Sequence, residues 1–479
     1  MDGPEGQVVT AAALPAQRID AHGTTRVDVR AILLLSAPLI LNSGVQTLLN
    51  LTDTWFIGRL STDALAAMGT IYWPIIAIIM LLSGVGMAVQ TVVAQAFGAR
   101  ELRRAAQATW LGLWSSVFAI PVFAAVAFAG PLMLKPFSLE PEIDRLAAQF
   151  WFPRLLGAPI GLALWAVFGF FNGIGRTKVT VAVSSCVAIA NIALNPLFMF
   201  QLGLGMAGSA WATNVAMAIG LVIALLVWHS PAYRESYAVA QTRAIDWPLL
   251  RRQFVLGFPM GLLYAADLIG ASFFMLMETD LSPADGATTQ IVMMLTSVAY
   301  MPGVGIAMAG TTLVGQAIGA GDRAWAFRIG NTVIGLAAGY MGAIGILLGA
   351  LGPWVLPLFV QASDPLAAQV IGLGGTILWI AAAYQFFDGL NLGSGFALRG
   401  AGESAVPAVL VIVLSWFVFV PIAHTLIFDR SQAWIGGLPQ LGWGSVGGWL
   451  ALFIYVLLLG ATLLLRWRSR AWQGIRLAA

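Results

Sequence analysis

Blocks of 18 or more mostly apolar residues recur along this chain, separated by short polar stretches, and such blocks read as membrane-spanning helices. They fall near residues 31–57, 65–97, 105–129, 146–171, 179–200, 208–228, 249–277, 286–317, 325–351, 367–397, 405–427 and 446–466. The pattern predicts an all-α integral membrane protein with twelve transmembrane helices. Several blocks exceed the roughly 20 residues needed to cross, which implies tilt or extension beyond the bilayer. Prolines lie inside many of them (Pro38, Pro74, Pro121, Pro159, Pro259, Pro302, Pro407), where neighbouring helices must satisfy the freed carbonyls.

The polar positions between the blocks orient the chain. Nineteen of its 24 Lys and Arg fall in the N-terminal tail, the even-to-odd loops and the C-terminus. The opposite side receives Arg59, Lys135, Arg145, Arg154 and Arg430. By the positive-inside rule both termini are expected to be cytoplasmic, a parity that twelve spans satisfy. The blocks also repeat. Pro38 in SAPLI matches Pro259 in GFPMG at an offset of 221, and Gln95 in AQAFGARELRRA matches Gln316 in GQAIGAGDRAWA at the same offset. FNGIGRTKV is echoed by ALRGAGESA, and GMAGSAW more weakly by GSVGGW. Six helices per half give both halves one orientation, related by an axis along the membrane normal, with the substrate path between them. The expected organisation is a disordered cytoplasmic tail over 1–30, an N-terminal lobe over 31–240 and a C-terminal lobe over 241–479. The polar loop at 229–251 serves as linker.

Composition agrees: 59% of the 479 residues are hydrophobic and 9% charged, against about 25% charged in soluble domains. The tail lacks the apolar core of a signal peptide. Cys186 is the only cysteine, so no intrachain disulfide forms. Enzyme motifs are absent: His22, His229 and His424 are scattered without metal-ligand spacing, and no GxxxxGK[ST] loop exists. GVG at 84–86 and 303–305 suits close helix packing rather than phosphate binding.

Three carboxylates inside apolar blocks carry the functional signal: Asp53 in LLNLTDTWFIG, Asp267 in LLYAADLIGASF and Asp388 in AAAYQFFDGLNLG. Each costs about 2.5–3.5 kcal/mol at the centre of a membrane helix, and residues so costly commonly face a polar cavity and bind or shuttle a cation. The structural alternative is a protonated, inert carboxyl between helices. In the first half, Asn191 and Asn195 are four apart and share a helix face. With Asp53, and with Thr213 from the sixth span, they compose an oxygen-rich pocket for a proton or Na⁺; read alone, the asparagines are equally well interhelical glue. In the second half, Tyr384 and Asp388 share a face in the same way, and Asp267 lies on another span of that half. Two carboxylates held close cannot easily both ionise. Asp267, Tyr384 and Asp388 are therefore expected to hold a proton or Na⁺. Gln290, Gln385 and Asn391 are candidates for the same cavity, although a surface or packing role accounts for them slightly better. Met293 is a candidate for a sulfur contact with a bulky organic cation, although a methionine on a membrane helix is far more often packed or lipid-facing.

PLILNSGVQTLLNLTDTWFIGRLSTDALAA followed by VGMAVQTVVAQAFGARE resembles the opening of multidrug and toxic compound extrusion (MATE) transporters. GFPMGLLYAAD, VGQAIGAGDR and YQFFDGLNLGSGFALRGAGE are similar to the matching elements of the second half, and the resemblance covers about 31–466. It implies two pseudo-symmetric six-helix lobes around a central cavity in the cytoplasmic (inner) membrane. It also implies export of small organic cations against inward H⁺ or Na⁺, with no cofactor besides that ion. Asp53, Asn191 and Asn195 stand where the family has its N-lobe cation site, and Asp267, Tyr384 and Asp388 where the NorM-type branch has its C-lobe site. Two positions depart from the pattern. Asn195 stands where some prokaryotic members carry Asp, and Asp267 where NorM-type members commonly carry Glu, a ligand shorter by one methylene. A monomer with no nucleic-acid partner is expected. A flippase of the wider superfamily, moving a lipid-linked saccharide, is the alternative within transport, but it would call for several intramembrane Arg or Lys, whereas the intramembrane charges placed here are acidic. A membrane-embedded enzyme or receptor is disfavoured by the missing motifs and by the duplication.

Overall fold

The computed structural model describes residues 14–19, 24–135, 139–360, 365–435, 437 and 439–474. Its helices are α1 (Val29–Gly58), α2 (Thr62–Gly98), α3 (Leu102–Phe128), α4 (Gly130–Leu134), α5 (Pro141–Leu156), α6 (Ala158–Gly173), α7 (Thr177–Pro196) and α8 (Gly205–Trp228), then α9 (Pro231–Arg234), α10 (Trp247–Leu281), α11 (Pro283–Gly319), α12 (Arg323–Val355), α13 (Ala367–Gly400), α14 (Ala405–Leu414), α15 (Val420–Ile427) and α16 (Gly444–Arg468). Among the described residues eleven spans are long and apolar enough to cross a membrane, and α5 with α6 forms a twelfth, bent by 42°. The bend has a local cause. Gly157 separates two prolines, Pro153 and Pro159, and the Pro153 carbonyl accepts the Asn214 side-chain amide at 2.6 Å. The fifth and eleventh spans each contain a π turn, Leu197–Gln201 after Pro196 and Ser415–Phe419.

The repeat extends to caps and turns. Ser61 and Ser282, 221 residues apart, cap α2 and α11 by accepting the backbone N–H three residues on. Both helices end in a residue of positive φ, Arg100 at 60° and Gly321 at 85°, again at that offset. The buried apolar residues form one large cluster drawn almost wholly from α10 to α16, two drawn mainly from α1 to α8, and a small fourth of Ala307, Met341, Leu392 and Phe396. Leu249, Leu256 and Met260 of α10 join one of the two first-half clusters, so this helix ties the sequence halves together. Its Gly257 and Gly261 lie against Gly84 of α2, with no room for a side chain at the crossing. The GVG segments are thus packing sites: Gly305 likewise lies on the Ile40 backbone of α1, and Gly303 on Met341.

The tail differs from expectation. Gln17–Ile19 and Thr25–Val27 form antiparallel strands β1 and β2, with Arg18 paired to Arg26. The Trp325 indole donates to the Pro15 carbonyl at 2.9 Å, and Arg328 to that of Thr25. Backbone hydrogen bonds and contact with α12 order a stretch whose polar composition pointed to disorder. Residues 1–13 and 20–23 of that expected tail lie outside the described residues.

At the arginine-rich end the halves are joined reciprocally. Gln95 of α2 donates to the Gly400 carbonyl at 2.9 Å, and its repeat partner Gln316 of α11 donates to that of Gly173 at 2.8 Å. Thr312 donates to the Asn172 carbonyl at 3.0 Å and receives the Gln90 amide at 3.1 Å. Beside them α2 and α11 cross at Gly98 and Gly319, where a Cβ on either would overlap the backbone carbonyl of the facing glutamine. Gly319→Val is therefore expected to lower stability by about 1–3 kcal/mol or more. Thermal unfolding of the purified protein measures this, and an unchanged midpoint would mean that the helices part without cost.

Candidate functional site

The first-half site is a carboxylate wrapped in neutral donors. Asp53 lies five residues before the end of α1, is 7% exposed, and receives Asn191 Nδ2 at 3.0 Å and Asn195 Nδ2 at 2.8 Å on Oδ1. Thr213 Oγ1 of α8 approaches Oδ2 at 3.0 Å and itself accepts from Asn191 at 3.1 Å. The two asparagines are fully buried on one face of α7, as their i, i+4 spacing requires, and the π turn follows immediately. All four residues expected from sequence meet here. The amide nitrogens, rather than the oxygens, face the carboxylate, and Asn195 Oδ1 is left buried without a partner. An oxygen cage therefore requires the Asn195 amide to turn over.

Arg154 corrects the expectation that the intramembrane charges are all acidic. It sits on the last turn of α5, inside the bent span, and its charge acts on Asp53 and on Tyr72. The break at Gly157 leaves that turn packed within the bundle instead of in the outer loop to which the charge count had assigned it.

In the second half, Asp388 of α13 is 4% exposed; Asn391 Nδ2 donates to its Oδ1 at 3.0 Å, and the Tyr384 hydroxyl stands 3.5 Å from Oδ2. Asp267 of α10 accepts instead from the Tyr455 hydroxyl of α16 at 3.1 Å. The two acids are not bonded to each other. Asp388 is held from its own helix and Asp267 from α16, so the two do not share a proton by direct contact, although the charge of Asp267 reaches Asp388. Beside Asp267 opens a cavity of about 90 Å³ whose walls include Asp267, Tyr264, Tyr300, Asn391 and Arg399; Asp388 is not in its wall and adjoins it through Asn391. Arg399 donates to the Tyr264 hydroxyl at 3.2 Å and stacks over Phe396. Glu403, also in the wall, is paired with Arg466.

The secondary candidates separate. Asn391 joins the cavity. Gln385 does not: it is 1% exposed and donates to the Thr296 carbonyl at 2.8 Å, joining α13 to α11. Gln290 is exposed and bonds to none of the three site residues. Met293 packs against the large apolar cluster. Sequence reasoning passed over Tyr455, the one polar side chain in ALFIYVLLLG, and Glu278, which adjoins a polar turn and so reads as a loop residue.

The MatE family model matches residues 38–197 and 259–425, more than half of the chain, and the two segments begin at equivalent points of the repeat. The chain belongs to the MatE family. Among curated relatives it is 31% identical over 469 residues to a probable multidrug resistance protein NorM of Pseudomonas aeruginosa, covering 92% of this chain and 90% of that one. It is 30% identical over 464 residues to the multidrug resistance protein NorM of Burkholderia vietnamiensis, covering 92% and 94%. Solved structures share the fold. One MATE crystal structure, in a straight conformation, superposes with a TM-score of 0.78 at 21% identity, covering 93% of this chain and 96% of that one. An outward-facing multidrug resistance MATE transporter of the MOP superfamily gives 0.77, also at 21%, covering 92% and 95%. The all-α membrane fold expected from the apolar blocks is thereby established for this MatE chain.

Proposed function

We propose that this MatE protein is a secondary antiporter of the inner membrane, exporting small amphipathic organic cations in exchange for inward H⁺ or Na⁺. The relatives named as multidrug resistance proteins support export of foreign compounds. The observation that carries the coupling is the buried Asp53, held by three neutral side chains, with a second acidic site around a cavity in the other half. Turning over the Asn195 amide converts a donor into an acceptor, so the same residues can receive a protonated Asp53 or ligate Na⁺. The arginine-rich end is read as cytoplasmic, with both termini there and the chain acting as a monomer. The described conformation is then sealed towards the cytoplasm. A flippase is the weaker reading: the single Arg399 of the cavity shares its wall with Asp267 and Glu403, a poor setting for a pyrophosphate.

The test is efflux of ethidium from proteoliposomes under separately imposed gradients. A pH gradient or a Na⁺ gradient, whichever supplies the coupling ion, should drive efflux, while membrane potential alone should drive nothing if one ion exchanges for one monovalent drug. Two ions per drug would add about 2.3 kcal/mol per 100 mV. Efflux indifferent to both gradients would remove the antiporter.

A further inference from the structure

Glu278, on the last turn of α10, is 0% exposed and belongs to neither site above. Thr289 Oγ1 donates to its Oε2 at 2.9 Å, and Thr289 is itself fixed by the Trp449 indole at 3.1 Å. Ser445 Oγ touches the same Oε2 and also lies 2.8 Å from Asp285 Oδ1. Asp285 is committed to the start of α11: its N–H is capped by Ser282, whose hydroxyl lies 2.5 Å from Asp285 Oδ2. Glu278 Oε1 has no partner and faces Gly448, where a methyl group would overlap it.

The proton count decides the arrangement. Ser445 has one hydroxyl hydrogen and two carboxyl neighbours. If both acids were ionised, one of them would face only a serine lone pair. A charged Glu278 would also leave an oxygen buried without a donor, at a cost well above that of a neutral carbonyl oxygen. Among the described residues no Lys or Arg pairs with it. Asp285 is the charged group that acts on it from α11, α16 offers only Ser445 and Trp449, and the titratable His424 of α15 is engaged by the Ile435 N–H. The hydroxyl oxygens occupy the space between the acids, and no group of three or more His, Cys, Asp or Glu suited to a metal exists among the described residues.

We propose that Glu278 is a proton-binding site: a neutral carboxyl that donates to Ser445, which in turn donates to Asp285 at the half-exposed edge. The proton exchanges along this chain. Glu278 gives its proton to Ser445 Oγ as Ser445 gives its own to Asp285, and the return reverses both transfers. Inward, the Trp449 ring packs edge-on against Tyr384 at 6.4 Å, so two aromatic rings, Trp449 and Tyr384, lie between the site and Asp388. None of this depends on the antiport reading.

Infrared difference spectroscopy of the full-length protein in lipid nanodiscs tests it through the C=O stretch of protonated carboxyls. At neutral pH the wild type should show a band that Glu278→Gln loses and Asp388→Asn keeps. Ser445→Ala should retain that band at higher frequency, because the carboxyl has lost its acceptor, and this arm stands if Glu278→Gln fails to fold. NaCl at constant pH should leave the band in place. A spectrum unchanged in Glu278→Gln, an unmoved band in Ser445→Ala, or a band abolished by NaCl would each overturn the assignment.

Discussion

Asp53→Asn is expected to reduce gradient-driven efflux to the leak of empty vesicles while the protein inserts and unfolds much as the wild type does. The substitution keeps the shape and the Oδ1 that Asn191 and Asn195 address. The new Nδ2 can donate to Thr213 Oγ1, whose own hydrogen has a second acceptor in the Ser209 carbonyl at 3.0 Å. What disappears is the charge, and with it any ability to take up and release H⁺ or Na⁺. Removing a carboxylate also relieves about 2.5–3.5 kcal/mol of insertion cost, so inactivity at normal expression separates coupling from folding. Wild-type efflux in this variant would make Asp53 a structural residue.

Asp388→Asn should abolish competition between coupling ion and drug. If both bind at the second-half cavity, each must weaken the other by the same factor, because the coupling is an equilibrium free energy. Asp388 is held by Asn391 from its own helix, Asn391 shares the cavity wall with Asp267, and the charge of Asp267 reaches Asp388, so neutralising Asp388 removes one of the two acids of this site. Equilibrium binding of ethidium, titrated with Na⁺ and with pH, should show apparent affinity falling as the ion rises in the wild type and a flat response in Asp388→Asn. Tyr384→Phe should weaken the dependence less, since its hydroxyl stands at 3.5 Å, the outer limit of a hydrogen bond. Undiminished competition in Asp388→Asn would move the coupling site to Asp53.

The spans were legible because membrane helices write their length in apolar residues. The Asp53 cluster was legible because Asn191 and Asn195 are spaced by one helical turn. Helical period says which residues share a face, but not which helix that face meets. Gln385 shares apolar surroundings with Asp388 yet turns to α11, and Asp267 meets Tyr455 of α16 rather than the other acid. Arg154 was misread and Glu278 passed over for a related reason. Glu278 adjoins the end of its apolar block and Arg154 was counted with the outer loops, where a charge ordinarily reaches water; the packing of α16 on α10 buries the first, and the bend at Gly157 draws the second into the bundle. The strands of the tail depend on contact with α12, which composition cannot report.

Carboxamides and backbone carbonyls hold the arginine-rich end shut, and these groups neither gain nor lose protons at any pH at which the protein folds. The three site acids, Asp53, Asp267 and Asp388, lie elsewhere, and Glu403 at this end is paired with Arg466. If the acids bind the coupling ion as proposed, sensing and locking are separate duties, and news of a bound ion reaches the lock only by movement of a helix that serves both. α13 is such a helix: Asp388 and the Gly400 carbonyl that receives Gln95 lie on one unbroken rod, twelve residues and about 18 Å apart. A tilt imposed at the acid becomes a displacement of that carbonyl, and the rod works as a lever between a site that feels charge and a bolt that does not.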